Sequence, residues 1–241
     1  MPVPVSAPVW WGSLLWLVGV GASSFGVAWL SGTRLRIRRA LYIPLLALVT
    51  GGLTAGYVAW LGVGVEDVVL ARWGWGLLAA GVAGLVLGFG VIRQPATRRL
   101  ERRDLPEAVV WEGIVYGTAE GVLLSALPVL MTWQLLHSLG WAGTAGAVAR
   151  WTLPVLASAA VIVVHHLGYW NCRNRILVPI TWGCSLLAVG YLVTASMVAP
   201  TLGHILLHFA ADAHGVEMPP VDRPEGSSPP LEPTGPSMRA A

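Results

Sequence analysis

Apolar stretches of about 20 residues follow one another from Val9 to Ala213 with little between them, and this recurrence decides what the chain can fold into. Seven can be placed: Val9–Leu30, Leu41–Val63, Trp73–Ile92, Val109–Leu136, Trp151–Tyr169, Ile176–Leu192 and Met197–Ala213. Runs of this length cross a hydrocarbon core about 30 Å thick. Lipid offers no partner to a backbone N–H or C=O, so each run must satisfy itself as a helix. The fold class that follows is all-α, a polytopic transmembrane bundle of about seven spans. Composition agrees: only 11% of the 241 residues are charged, where soluble domains carry about a quarter. The lipid bilayer is therefore the first expected partner. Gly and Ala are plentiful in the spans, which suits close contact between membrane helices.

All 15 basic residues are Arg and none is Lys, which excludes Schiff-base and Lys-based catalysis. Their placement sets orientation. With the N-terminus outside, the inner loops hold Arg34, Arg36, Arg38, Arg39, Arg93, Arg98, Arg99, Arg102, Arg103, Arg173 and Arg175, eleven against the two outer residues Arg72 and Arg150. The positive-inside rule then gives N-out, C-in. The modest net charge of +3 marks topology and not a nucleic-acid footprint, so no nucleic acid is expected as a partner. Cys172 and Cys184 make no C-x-x-C pair and give no disulfide framework. The N-terminal run has no positive n-region and reads as an uncleaved first span.

Three parts follow along the chain. Residues 1–108 hold three spans and a basic loop, whose stretch from Arg93 to Val110 is expected to contain a short surface helix. Residues 109–215 hold the remaining spans. Residues 216–241 are rich in Pro, Gly and Ser and read as a disordered cytoplasmic tail.

Ionisable residues within spans are costly and are functional-site hypotheses by default. Here they are Glu112 and Glu120 on the fourth span, His165 and His166 on the fifth, and His204, His208 and Asp212 on the seventh. The first three spans carry almost none, so chemistry is expected in the second half. The depths implied by the topology bring a carboxylate and two or three imidazoles together in the inner half of the bundle. Such a set can activate water directly, as a general base, or by holding a divalent metal such as zinc. His204 and His208 at i, i+4 share a helix face, a spacing that suits chelation. Adjacent helical residues point about 100° apart, so only one of His165 and His166 is expected to face the interior. Glu120 can equally bond a neighbouring helix, and Asp212 is expected to be solvated near the inner boundary.

The seventh span and its approach, "LLAVGYLVTASMVAPTLGHILLHF" (Leu186 to Phe209), resemble the third motif region of the CPBP family, the CAAX-protease and bacteriocin-processing intramembrane endopeptidases. The small turn "TAS", the following "AP" and a His four residues after Pro carry the likeness. His204 falls on the motif His, and His208 falls where the family has Asn or Asp. Upstream, "SAAVIVVHHL" (Ser158 to Leu167) resembles the second motif, with His166 on its His. "VVWEGIVYGTAEG" (Val109 to Gly121) aligns with the first motif through Gly117 and Gly121, which puts Glu112 on the second glutamate, Trp111 on the first and Tyr116 on the arginine.

The resemblance implies a prokaryotic cell-membrane hydrolase, a metalloendopeptidase whose polar site faces the cytoplasm and cuts a membrane-associated peptide or protein. Glu112 would activate the water, with His166, His204 and His208 orienting it or holding the metal. Glu120, His165 and Tyr116 are further candidates. A catalytically inactive relative acting as a membrane scaffold is the alternative. A transporter-like bundle using the same polar groups as a relay is a third.

Overall fold

The computed structural model describes residues 10–96 and 105–216, and every regular element among them is helical. Of the stretch Arg93–Val110, expected to hold a surface helix, residues 97–104 lie outside the described residues and those from Leu105 are helical and lead into a long membrane helix; the tail beyond Val216 also lies outside. Six helices are long and apolar enough to cross a membrane: α1 (Trp10–Arg34), α2 (Arg39–Leu61), α3 (Trp73–Ile92), α4 (Pro106–Ser138), α5 (Gly143–Leu167) and α6 (Leu177–Thr194). A seventh, α7 (Val198–His214), is 17 residues long and is the one that carries His204, His208 and Asp212.

Two boundaries differ from the hydropathy reading. α1 runs on to Arg34 through a π-helical turn, Trp29–Arg34. α5 begins at Gly143, so Arg150 lies within the helix and not in an outer loop. Helical hydrogen bonding does not stop where hydropathy does, because a charged side chain near a helix end can extend toward the interface. Cys172 and Cys184 are separate buried thiols, in keeping with the absence of a disulfide framework.

α4 is the axis of the bundle. In its most apolar window 78% of residues are buried, against 22% to 33% in the other five long helices. Those five turn wide apolar faces outward, with Leu15, Leu48, Leu85, Leu156 and Trp182 all more than half exposed, as helices bathed in lipid would. Pro128 inside α4 has no N–H for the Leu124 carbonyl. The Ser158 hydroxyl of α5 donates to that carbonyl at 2.7 Å, so a proline-made vacancy becomes a tie between helices.

Two lines of small residues hold α7. On α3, Gly76, Ala80, Gly84 and Gly88 recur every four residues and form one stripe. Gly76 meets Ser196 and Val198, Ala80 meets Gly203, Gly84 meets Leu206 and Gly88 meets Ala210. On α4, Gly113, Gly117 and Gly121 make a second stripe with the same spacing. Gly113 receives the Phe209 ring, Gly117 the backbone at Ile205, and Gly121 the backbone at Pro200 and Thr201. A Cβ at Gly117 would stand 2.9 Å from the Ile205 Cα, and one at Gly121 2.8 Å from the Thr201 Cα. Without a hydrophobic drive between helices in lipid, this approach of backbones is what makes the packing favourable. The pairs run in opposite senses along the two helices, so α7 is antiparallel to α4 and wedged between it and α3.

The turn that feeds α7 is the expected small one. Thr194 caps α6 by returning its hydroxyl to the Gly190 carbonyl at 2.7 Å, and Ala195 takes a left-handed conformation at φ 55°. The methyl side chain is small enough to tolerate this at a cost of about 1–2 kcal/mol. The reversal lets Ser196 sit fully buried against Gly76.

Candidate metal centre

Glu120 is the carboxylate at the heart of the polar cluster. It is the last residue of the α-helical turn Gly117–Glu120, between two π-helical stretches of α4, Val109–Tyr116 and Gly121–Ala126. A π-helical turn winds more residues into each revolution and re-aims the side chains beside it, and such turns cluster at functional sites. Gly121, next in sequence, draws α7 close enough for its imidazoles to reach Glu120.

Two imidazoles of α7 do so. His204 Nε2 lies 3.2 Å from Glu120 Oε2, and His208 Nε2 lies 3.1 Å from the same oxygen. Their spacing of one helical turn stacks the rings, 5.5 Å apart and inclined by 25°. From α5, His165 Nε2 lies 3.5 Å from Glu120 Oε1, the other carboxylate oxygen. Tyr116 lays its ring edge-on to His208 at 5.0 Å. All of this is buried: Glu120 is 4% exposed, His204 and His208 2% each, and His165 0%. The cluster is thus enclosed in the bundle.

A second ring of polar groups holds His165. Its Nδ1 is hydrogen-bonded to the Ser24 hydroxyl of α1 at 2.8 Å and lies 3.2 Å from the Ser24 carbonyl. The Tyr169 hydroxyl is 3.3 Å from Nε2 and is itself hydrogen-bonded to the Tyr42 hydroxyl of α2.

Glu112 and His166 take other places. Glu112 forms an ion pair with Arg39 at the start of α2, so the carboxylate in contact with the imidazoles is Glu120, not Glu112. Arg39 is correspondingly a buried pairing residue and more than an orientation charge. His166 is buried, but its Nδ1 turns back to the Ile162 carbonyl of its own helix at 2.9 Å. Its ring meets His165 edge-on at 5.1 Å and makes no direct bond to Glu120. Both histidines of the pair are interior, because α5 is covered by α1 on one flank and by α4 on the other. Asp212 is also buried, one turn beyond His208 and not solvated.

Three of these groups can hold a cation. One ligand atom each from Glu120, His204 and His208 lies within 4.8 Å of the other two. The two Oε2–Nε2 separations, 3.1 and 3.2 Å, compare with about 3.3 Å between ligands of a tetrahedral zinc bound at about 2.0 Å. One carboxylate and two neutral imidazoles are a donor set suited to zinc and related divalent ions. The groups present therefore fit a metal, and a set of three leaves room for a further ligand.

Sequence reading missed Ser24, Tyr42 and Tyr169. A hydroxyl within an apolar run has no signature, and each meets its partner across more than 120 positions. Glu120 had a signal in the Gly113, Gly117, Gly121 repeat, which marks the face of α4 pressed against another helix. Comparison with protein-family models, with curated proteins and with solved structures returned no match.

Proposed function

We propose that the chain is an intramembrane metallohydrolase, resembling the CAAX-protease-like endopeptidases, in which Glu120, His204 and His208 hold a divalent cation. The observation that carries this reading is the convergence of one carboxylate and two imidazoles, all but fully buried, on a helix pair drawn together by glycines. A divalent cation at such a site supplies Lewis-acid polarisation of a carbonyl and lowers the pKa of a bound water. Glu120 Oε2 faces the two α7 imidazoles, while Oε1 is retained by His165. Tyr116 and Tyr169 place phenol rings at the edge of the cluster, groups suited to a developing oxyanion. The substrate class is a membrane-associated peptide or protein, and the eleven inner arginines favour a cytoplasmic-side site with the N-terminus outside.

A second reading, an inactive relative serving as a scaffold, draws on the enclosure of the cluster. An opening between helices is needed before water or peptide can arrive. Cleavage of a fluorogenic transmembrane peptide in proteoliposomes separates the two. The hydrolase reading expects turnover that falls at least 100-fold in Glu120→Gln and His204→Ala and survives in Glu112→Gln. Turnover indifferent to Glu120→Gln ends it, and an inactive wild type that still holds one metal per chain favours the scaffold.

A further inference from the structure

Hydroxyls inside membrane helices ordinarily turn back on their own backbone. Thr54 bonds the Thr50 carbonyl, Thr181 that of Leu177 and Thr194 that of Gly190, each four residues earlier and at 2.7 Å. Ser24 does otherwise. Fully buried in α1, it directs its hydroxyl to the Nδ1 of His165, 141 positions away. His165 is also completely buried and is gripped at both ends of its ring. Ser24 takes Nδ1, while Tyr169 and Glu120 Oε1 share the space around Nε2. His166, next in sequence, bonds only its own helix.

We infer that Ser24 and His165 are positioning residues for the metal centre: Ser24 fixes the His165 ring, and His165 retains Glu120 Oε1 so that Oε2 alone faces His204 and His208. The inference rests on the metal reading above and assigns a role to α1, a helix with no ionisable residue before Arg34. Carboxylates and imidazoles that ligate metals are oriented by hydrogen-bonded partners of this kind, and loss of such a partner costs about 10- to 100-fold in affinity. Released from His165, Glu120 is free to rotate about its last torsion and offer both oxygens or neither. Affinity and coordination number then change together.

Titration of the purified full-length protein with Co²⁺, followed by visible absorption and by bound metal per chain, tests this. The wild type is expected to bind one Co²⁺. Ser24→Ala and His165→Gln are expected to weaken binding about 10- to 100-fold and to shift the visible bands. Ser24→Thr keeps the hydroxyl and is expected to restore both. Ser158→Ala, which also removes a buried inter-helix hydroxyl bond but at the Leu124 carbonyl, is expected to lower thermal stability and leave affinity and spectrum unchanged. If Ser24→Ala does not fold, His165→Gln carries the test from the other end of the bond. Wild-type affinity and spectrum in both variants would overturn the inference while leaving the metal reading intact. Failure of the wild type to bind Co²⁺ would overturn both.

Discussion

Two glutamates two helical turns apart on α4 have opposite fates. Glu112 sits near one end of the helix and meets Arg39, and its side chain retains 12% exposure. Glu120 sits deeper, is almost completely enclosed, and meets three imidazoles and no arginine. Tyr116 lies midway, four residues from each. The helix presents all three on one side, so their surroundings, not their direction, set them apart. A permanent cation neutralises Glu112 outright, making it a structural brace. Imidazoles can be neutral, and a carboxylate facing neutral imidazoles is a ligand set awaiting a positive charge. The lesson is that depth alone does not identify a functional carboxylate in a membrane bundle; the chemistry of its partners does.

The glycine seam is what gives Glu120 its partners, so breaking it should have the largest effect. Gly121→Val drives a branched side chain into the Pro200–Thr201 backbone and should cost more than about 3 kcal/mol. Loss of monodisperse protein in detergent is the expected result, whereas Gly26→Ala, which meets open space, should be silent. The next test sets the two carboxylates against each other. Glu120→Gln should weaken divalent-metal affinity by more than the roughly 100-fold typical of a lost supporting group, and Glu112→Gln by less than about threefold. Equal losses would erase the distinction.

Stability should show a separate effect at Glu112. Breaking its ion pair by Glu112→Gln or Arg39→Gln should cost about 1–3 kcal/mol, below the full penalty for a buried pair because neither side chain is fully buried. In thermal unfolding the double variant should lose less than the sum of the singles. Tyr116→Phe should be the mildest change. The ring keeps its edge contact with His208, so metal affinity should stay within about threefold of wild type.

The helical bundle was legible in the sequence because lipid leaves the backbone few choices: each of the seven apolar runs coincides with a main helix, six of them long and apolar enough to cross a membrane. The α7 pair was legible too, since His204 and His208 one turn apart must share a face. What could not be read was which glutamate faces them. Aligning Gly117 and Gly121 with a family motif favoured Glu112, but the same glycines are contact points with α7 and mark their neighbour Glu120. Arg39 looked like an orientation charge because its partner lies 73 positions away. The π-helical stretches on either side of Glu120 left no compositional trace, and Ser24 is one hydroxyl in an apolar run. Features made by local periodicity are visible in one dimension, whereas those made by two distant helices meeting are not.

The proposed hydrolase requires a divalent cation held by Glu120, His204 and His208. Metal content per chain, measured after loading with Zn²⁺ and removal of the excess, tests it most directly. It should be close to one in the wild type and in Glu112→Gln, and close to zero in Glu120→Gln and in the double variant His204→Ala/His208→Ala. A wild type with no bound metal, or a Glu120→Gln protein that retains a full equivalent, would contradict it.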